Sequence, residues 1–236
     1  MKKFASIALL SALFMISFAG CNQPVQQTST DTTPTVTTPT ENVKPDTTVK
    51  PEETTKPVET VKPEETPQVK QYSTLQDASA VAILALKNKD MKTLAAMAGT
   101  NGVRFSPYSY IDLEKDVVLT PIVLENAYIL SRTFVWGSYD GSGEPIDLPF
   151  AQYFDKFVYD QDFMNAEQIK YNEIIGTGNT TNNLKEAYPN AEFVEYHFSG
   201  FDKQYEGMDW ESLRLVFEKK DGAYNLVGII HDGWTV

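Results

Sequence analysis

Cysteine is almost missing from this 236-residue chain; one residue, Cys21, is all there is. A single thiol closes no internal bridge, so no disulfide supports a domain beyond it and thiol chemistry is excluded there. Histidine is nearly as scarce, with two residues. Gly-rich phosphate loops, zinc-type Cys/His spacing and Gly-x-Ser-x-Gly are all absent, so no cofactor and no metal are expected from motif. No apolar run reaches the roughly 20 residues that span a bilayer. Positive charge is in short supply too: 20 Lys plus Arg face 32 Asp plus Glu, a net charge of −12. Such a balance disfavours nucleic acid and anionic headgroups as partners and suits cations or neutral ligands.

The N-terminus carries the clearest pattern. Met1-Lys2-Lys3 is cationic, and Phe4 to Phe18 is apolar apart from Ser6, Ser11 and Ser17. The run ends in the small residues Ala19-Gly20, before Cys21. Charge, length and small residues read as an export signal over residues 1–20. Ser17-Phe18-Ala19-Gly20-Cys21 resembles a bacterial lipobox, which implies lipidation of Cys21 and a membrane partner through that anchor. Two or three acyl chains hold a protein durably at a bilayer. An ordinary secretory signal leaving a free thiol is the alternative, and the oxidising compartment argues against it.

Residues 21–70 follow as a spacer. Asn22 to Lys70 has no aromatic residue, and a hexapeptide repeat starts at Val43-Lys44-Pro45-Asp46-Thr47-Thr48 and recurs from Val49, Thr55 and Val61. Proline fixes φ, Val and Thr favour extended backbone, and too little apolar surface exists to offset the entropy of ordering. The segment is expected to be a disordered, polyproline-like stalk; at about 3.1 Å per residue it reaches on the order of 150 Å at full extension.

Residues 71–236 form one expected domain, with 13 Lys plus Arg against 24 Asp plus Glu. Ser73-Thr74-Leu75-Gln76 fits a capping box, with Leu75, Ala78, Ala82, Ala85 and Leu86 at helical spacing behind it. Asp90 caps a second helix that runs to Met97 and stops at Gly99. Val103 to Tyr110 reads as extended and bent at Pro107, and Leu124 to Ser131 as helical. Arg132 to Tyr139 alternates as a strand and returns through Ile146 to Leu148. Phe150, Tyr153, Phe154, Phe157 and Val158 line one helix face. Glu167 to Ile175 reads as a strand and Asn182 to Tyr188 as a short helical link. Phe193 to Ser199 alternates Phe193, Glu195, His197 and Ser199 against Val194, Tyr196 and Phe198. Ser212 to Lys219 and Ala223 to His231 are expected to pair through a type I′ turn at Asp221-Gly222. That register sets Leu213, Leu215 and Phe217 opposite Ile230, Gly228 and Leu226, and puts His231 on the face of Arg214.

Helices first and antiparallel strands last predict an α+β fold, N-terminal helices packed on a curved antiparallel sheet. The order resembles NTF2-like proteins, which implies a cone with a pocket. His197 to Val236, with Gly207-Met208-Asp209-Trp210 and Ile230-His231-Asp232-Gly233-Trp234-Thr235, resembles the C-terminal part of an uncharacterised family of extracellular Gram-positive lipoproteins. That resemblance implies a location on the outer face of the membrane and transfers no catalytic residue.

Candidate chemistry rests on few residues. Glu195 and His197 share a strand face about 6.5–7 Å apart, so a carboxylate can orient an imidazole as a base or a metal corner. A polar, solvent-facing strand side, or a His bonded to a backbone carbonyl, is the preferred account, since no Ser or Cys nucleophile motif accompanies the pair. His231-Asp232 point to opposite faces and form no dyad by themselves. Asp140, Ser142 and Glu144 imitate a calcium loop, but the twelfth position is Ala151 and a hairpin turn explains them. Asp202, Glu206, Asp209 and Glu211 make an acidic loop around Tyr205 and Trp210. Tyr205, Asp209, Trp210, Trp234 and Arg214 are the candidate binding residues. Two functional classes follow: a surface-tethered, non-catalytic binding module for cell-wall material or a small ligand, or a small hydrolase in which His197, Glu195, Arg214 and His231 converge. A purely structural envelope protein is the third.

Overall fold

The computed structural model describes residues 71–235. The expected signal peptide, the expected lipidation site Cys21 and the expected stalk lie outside the described residues.

The first helix, α1 (Leu75–Lys87), starts one residue later than the capping-box spacing suggests: Thr74, in extended conformation, accepts a hydrogen bond from the Asp77 backbone N–H. The Thr74 hydroxyl donates back to the Asp77 carboxylate at 2.7 Å, so Asp77 takes the role assigned to Gln76. α2 (Met91–Met97) starts at Asp90, whose side chain accepts from Thr93 N–H. β1 (Val103–Ser106) ends before Pro107, short of the extended run expected to Tyr110, and β2 (Val117–Leu119), which the hydrophobic period does not show, pairs with it. α3 (Pro121–Asn126) begins three residues before the expected helix, since Pro121 supplies a preset first-turn φ and needs no N–H partner. A 3-10 turn, Ala127–Ile129, continues it.

β3 (Thr133–Ser138) and β4 (Pro145–Pro149) form a separate two-stranded sheet across the Gly-rich turn. In that turn Gly143 N–H donates to Tyr139 O at 2.9 Å, so Asp140, Ser142 and Glu144 are turn residues. α4 (Phe150–Phe157) buries the expected aromatic face, with Phe150, Tyr153, Phe154 and Phe157 all inward. β5 (Gln168–Tyr171) is shorter than its expected run and exposed along its length. α5 (Leu184–Ala187), β6 (Glu192–Phe198), β7 (Glu211–Lys220) and β8 (Ala223–Gly233) complete the chain order.

The main sheet runs β2-β1-β8-β7-β6-β5 and is antiparallel except where β1 lies parallel to β8. α1 lies against β6, β7 and β8 on one face. The fold is therefore α+β, with helices on a large, mostly antiparallel sheet. Between helices and sheet the space is filled by rings: Trp136 stacks on Tyr153 at 4.0 Å, and Phe105 meets Trp136, Phe150 and Tyr153 edge-on. Trp136 donates its indole N–H to Leu148 O at 2.9 Å, which lets so large a side chain be buried without a polar penalty.

The opposite face of the sheet is covered as well. Ile111, Leu184, Phe193, Val216 and Ile230 pack there. Asn183 fastens the cover by accepting from Ile111 N–H at 2.8 Å and donating to Ile111 O at 3.0 Å. The sequence reading offered a solvent-facing side for β6; the chain from 172 to 188 buries it instead.

One irregularity in β8 rearranges the residues that matter most. The hairpin turns at Asp221-Gly222 with φ of 52° and 83°, as type I′ requires. Phe217 pairs with Leu226 as expected, but Val216 then pairs with Gly228, leaving Val227 as an extra residue. A one-residue bulge exchanges the faces of everything beyond it. Leu213 is opposite His231 and Ser212 opposite Asp232, which corrects the expected register. His231 thereby moves to the helix side, and Asp232 takes its place beside Arg214.

Candidate functional site

On the covered face of β6, β7 and β8 the ladder sets Glu195 directly across from Arg214, His197 across from Ser212 and Ser212 across from Asp232. Arg214 is fully buried. Its five N–H groups are all committed: Nε to Glu195 Oε2 at 2.9 Å, Nη1 to Asp232 Oδ2 at 2.8 Å and Ser109 Oγ at 3.3 Å, Nη2 to Gly176 O at 2.8 Å and Glu195 Oε1 at 3.2 Å. Glu195 accepts further from Ser212 Oγ at 2.7 Å, Gly176 N–H at 2.8 Å and Ile175 N–H at 3.1 Å. Taking charges out of water costs several kcal/mol each, on the order of magnitude that only a saturated, well-aligned network offsets. Burial pushes the Glu195 carboxyl up, but the guanidinium and the N–H and O–H donors outweigh it and hold the group below its ordinary range. For Asp232 burial wins over Arg214, and its carboxyl lies above the ordinary value. Two carboxylates beside it outweigh burial at Arg214 and keep it charged.

His197 joins this network through Ser212, with Nδ1 2.8 Å from Ser212 Oγ. The serine has one proton, and that proton faces Glu195. The hydroxyl oxygen therefore accepts from His197 Nδ1–H, and Nε2 keeps its lone pair. In a nucleophile–base pair the hydroxyl would donate to the imidazole, the reverse of this order. Burial lowers the His197 pKa. Ser212 is itself fully buried.

Next to His197 an open cleft of about 210 Å³ is lined by Ile175, Gly176, Thr177, Ser199, Gly207 and Trp210 as well. Trp210 is almost wholly buried, its ring 5.8 Å from the His197 ring and pressed against Gly176 and Gly178. A Cβ on Gly176 would run into the Trp210 ring and the Ser212 hydroxyl, so only glycine lets the 174–178 segment approach the sheet. Asp209 folds the acidic loop by accepting from Phe201 and Asp202 N–H at 2.9 and 2.6 Å. Tyr205 and Trp234 are each 49% exposed. Of the candidate binding residues, Arg214, Asp209 and Trp210 are thus engaged within the fold, while Tyr205 and Trp234 face solvent.

His231 does not join His197, Glu195 and Arg214. It sits on the helix side, with Nε2 3.1 Å from Asp160 Oδ2 and its ring edge-on to Phe157. Glu211 completes a group in which one donor atom from each of Asp160, Glu211 and His231 lies within 4.8 Å of the others. Burial, then the charge of Asp160, pushes the Glu211 carboxyl up to about 7. Burial opposes charge on His231, but its bond to Asp160 and the nearby carboxylates outweigh that and raise its pKa. The sequence reading missed Asp160 altogether, because 51 and 71 positions separate it from its two partners. Only the bulge at Val227, invisible as a periodicity, turns His231 toward it.

No family model and no curated protein sequence matches the chain. Among solved structures, a protein described as a calcium/calmodulin dependent protein kinase II association domain from Xanthomonas campestris is similar at 11% identity and a TM-score of 0.28, covering 68% of this chain and 86% of that one.

Proposed function

We propose that this chain is a lipid-anchored extracytoplasmic protein whose folded domain binds a neutral or cationic ligand without transforming it. The observation that carries the reading is the closure of the Arg214 network: every guanidinium N–H is taken, and the Ser212 proton lies on Glu195 and not on His197. Groups locked to one another position a surface but have no proton or electron pair poised for transfer. What remains beside the cleft is the His197 Nε2 lone pair together with Thr177, while the Ser199 hydroxyl donates to Glu167 at 2.6 Å. That is a hydrogen-bonding floor suited to a small polar molecule such as a wall sugar or muropeptide fragment. The N-terminal signal, Cys21 and the stalk support delivery and tethering outside the membrane, as does the resemblance of the last 40 residues to extracellular lipoproteins. Among the described residues no helix is long and apolar enough to cross a membrane. For the finer fold we read an NTF2-like arrangement, supported by helices leading into a late antiparallel run.

The test uses the full chain recovered from membranes. Mass spectrometry of its N-terminal peptide should show diacylglycerol on Cys21, and muropeptides or oligosaccharides should raise the melting temperature of the wild type but not of Ser199→Trp, which fills the cleft. An unmodified thiol would remove the tether from the reading. An unchanged melting curve across the ligand panel would remove the binding role and leave a structural envelope protein.

A further inference from the structure

Asp160, Glu211 and His231 come from three segments: the chain just after α4, the first residue of β7 and the end of β8. Six buried side-chain polar atoms lack a partner among the described residues, and three of them belong here: Asp160 Oδ1, Glu211 Oε2 and His231 Nδ1. Ionised carboxylates only accept and a neutral imidazole brings a single N–H, so the group offers more lone pairs than donors. His231 is 8% exposed, and its imidazole lies beside both acids. No lysine or arginine forms an ion pair with Asp160 or Glu211 among the described residues. Arg214, the nearest buried cation in sequence to both Glu211 and His231, is turned to the opposite face of the sheet and consumed there.

Buried acceptors that outnumber their donors cost free energy that a cation returns. From this arrangement we infer that Asp160, Glu211 and His231 form a binding site for one divalent transition-metal ion of the Zn²⁺ class. Two donors at roughly 2.0–2.1 Å from a tetrahedral ion lie roughly 3.3–3.4 Å apart. The His231 Nε2 to Asp160 Oδ2 separation of 3.1 Å is close to that, and a rotation of the Glu211 side chain brings in the third donor from within 4.8 Å. Three protein donors leave the fourth position to water or a ligand. An imidazole with two carboxylates selects zinc or its first-row neighbours over calcium, which asks for six to eight oxygens. The site uses none of the groups of the His197 cleft, so it stands or falls apart from the binding role proposed above. Its structural effect is to tie together three segments that only the tertiary fold makes neighbours.

The chain contains just two histidines, which makes the test direct. The full chain, purified in detergent and stripped with EDTA, is titrated with zinc chloride while the imidazole resonances of wild type are followed. One equivalent of zinc should shift the ring signals of His231 and leave those of His197 in place, and should raise the melting temperature. Calorimetry should show one saturable site, with calcium and magnesium giving no comparable heat. Glu211→Gln and Asp160→Asn should each weaken zinc at least tenfold. A folded wild type in which His231 is unmoved by zinc, or in which His197 moves instead, overturns the proposal. So does a Glu211→Gln protein that binds zinc as tightly as wild type, which would place the ion on the other surface acids.

Discussion

Arg214 has no contact with water, and its guanidinium is held by Glu195, Asp232 and the Gly176 carbonyl. Removing such a partner leaves two carboxylates uncompensated, which typically costs about 3–5 kcal/mol. Arg214→Met should lower the unfolding free energy by that amount in urea denaturation, and a loss below about 1 kcal/mol would show the network contributes little. Asp116 offers a different test, because its titration is set by burial and not by a salt bridge. It is 8% exposed and accepts from Ser106 Oγ at 2.5 Å and Asp112 N–H at 3.0 Å. Burial pushes its carboxyl up to about 6, from an unfolded value of 3.8. The folded protein therefore keeps this proton longer than the unfolded chain does, and stability falls as pH rises from about 4 to about 6. A shift of roughly two units corresponds to about 3 kcal/mol. Asp116→Asn should match wild type near pH 4 and exceed it by up to about 3 kcal/mol at pH 7. Denaturation curves at both pH values decide it, and an unchanged difference between them would refute the assignment.

Elements in this domain start and stop where local chemistry says they should, with instructive exceptions. Thr74 and Asp90 cap α1 and α2, and a cap of this kind is worth about 1 kcal/mol, so Thr74→Ala should cost that much in thermal or chemical melts. Pro121 starts α3, and α4 buries its aromatic stripe as its spacing implies. The segment over 174–178 behaves otherwise: it has little regular structure, yet its backbone N–H and C=O groups fill the Glu195–Arg214 network. Close approach is possible because Gly176 has no side chain. Gly176→Ala should lower stability by about 1–3 kcal/mol through overpacking, whereas Gly222→Ala, with open space around its Cβ, should lose only the smaller cost of a positive φ. Equal losses at the two positions would count against the packing account.

For the molecule as a whole, the sheet separates two polar groups that the amino-acid order interleaves. Ser212, Arg214 and Asp232 face one side with Glu195 and His197, while Glu211 and His231 face the other with Asp160. On one side the Arg214 guanidinium has every N–H bonded, and on the other three buried polar atoms lack partners. At this scale the proposed anchor is also testable: Cys21→Ala should move the protein from the membrane fraction to the soluble extracellular fraction without changing the melting temperature of its folded domain. Retention in membranes by the variant would point to an attachment other than lipid.

Most helices and strands of residues 71–235 were legible from capping residues, turn pairs and hydrophobic period, since these are local interactions between near neighbours. β2 escaped notice because three residues carry too little alternation to stand out. Glu195 and His197 were legible as a pair sharing one face, but their burial was not, because the cover comes from residues 172–188 and 109–111 across the fold. The partners of His231 were less legible still. A single extra residue at Val227 reverses which face His231 and Asp232 occupy, and no hydrophobic period marks that bulge in the chain. The sequence by itself determined the acidic balance and most of the order of elements in residues 71–235. Tertiary structure alone decided which charges meet, because residues brought together from distant positions leave no period in the chain.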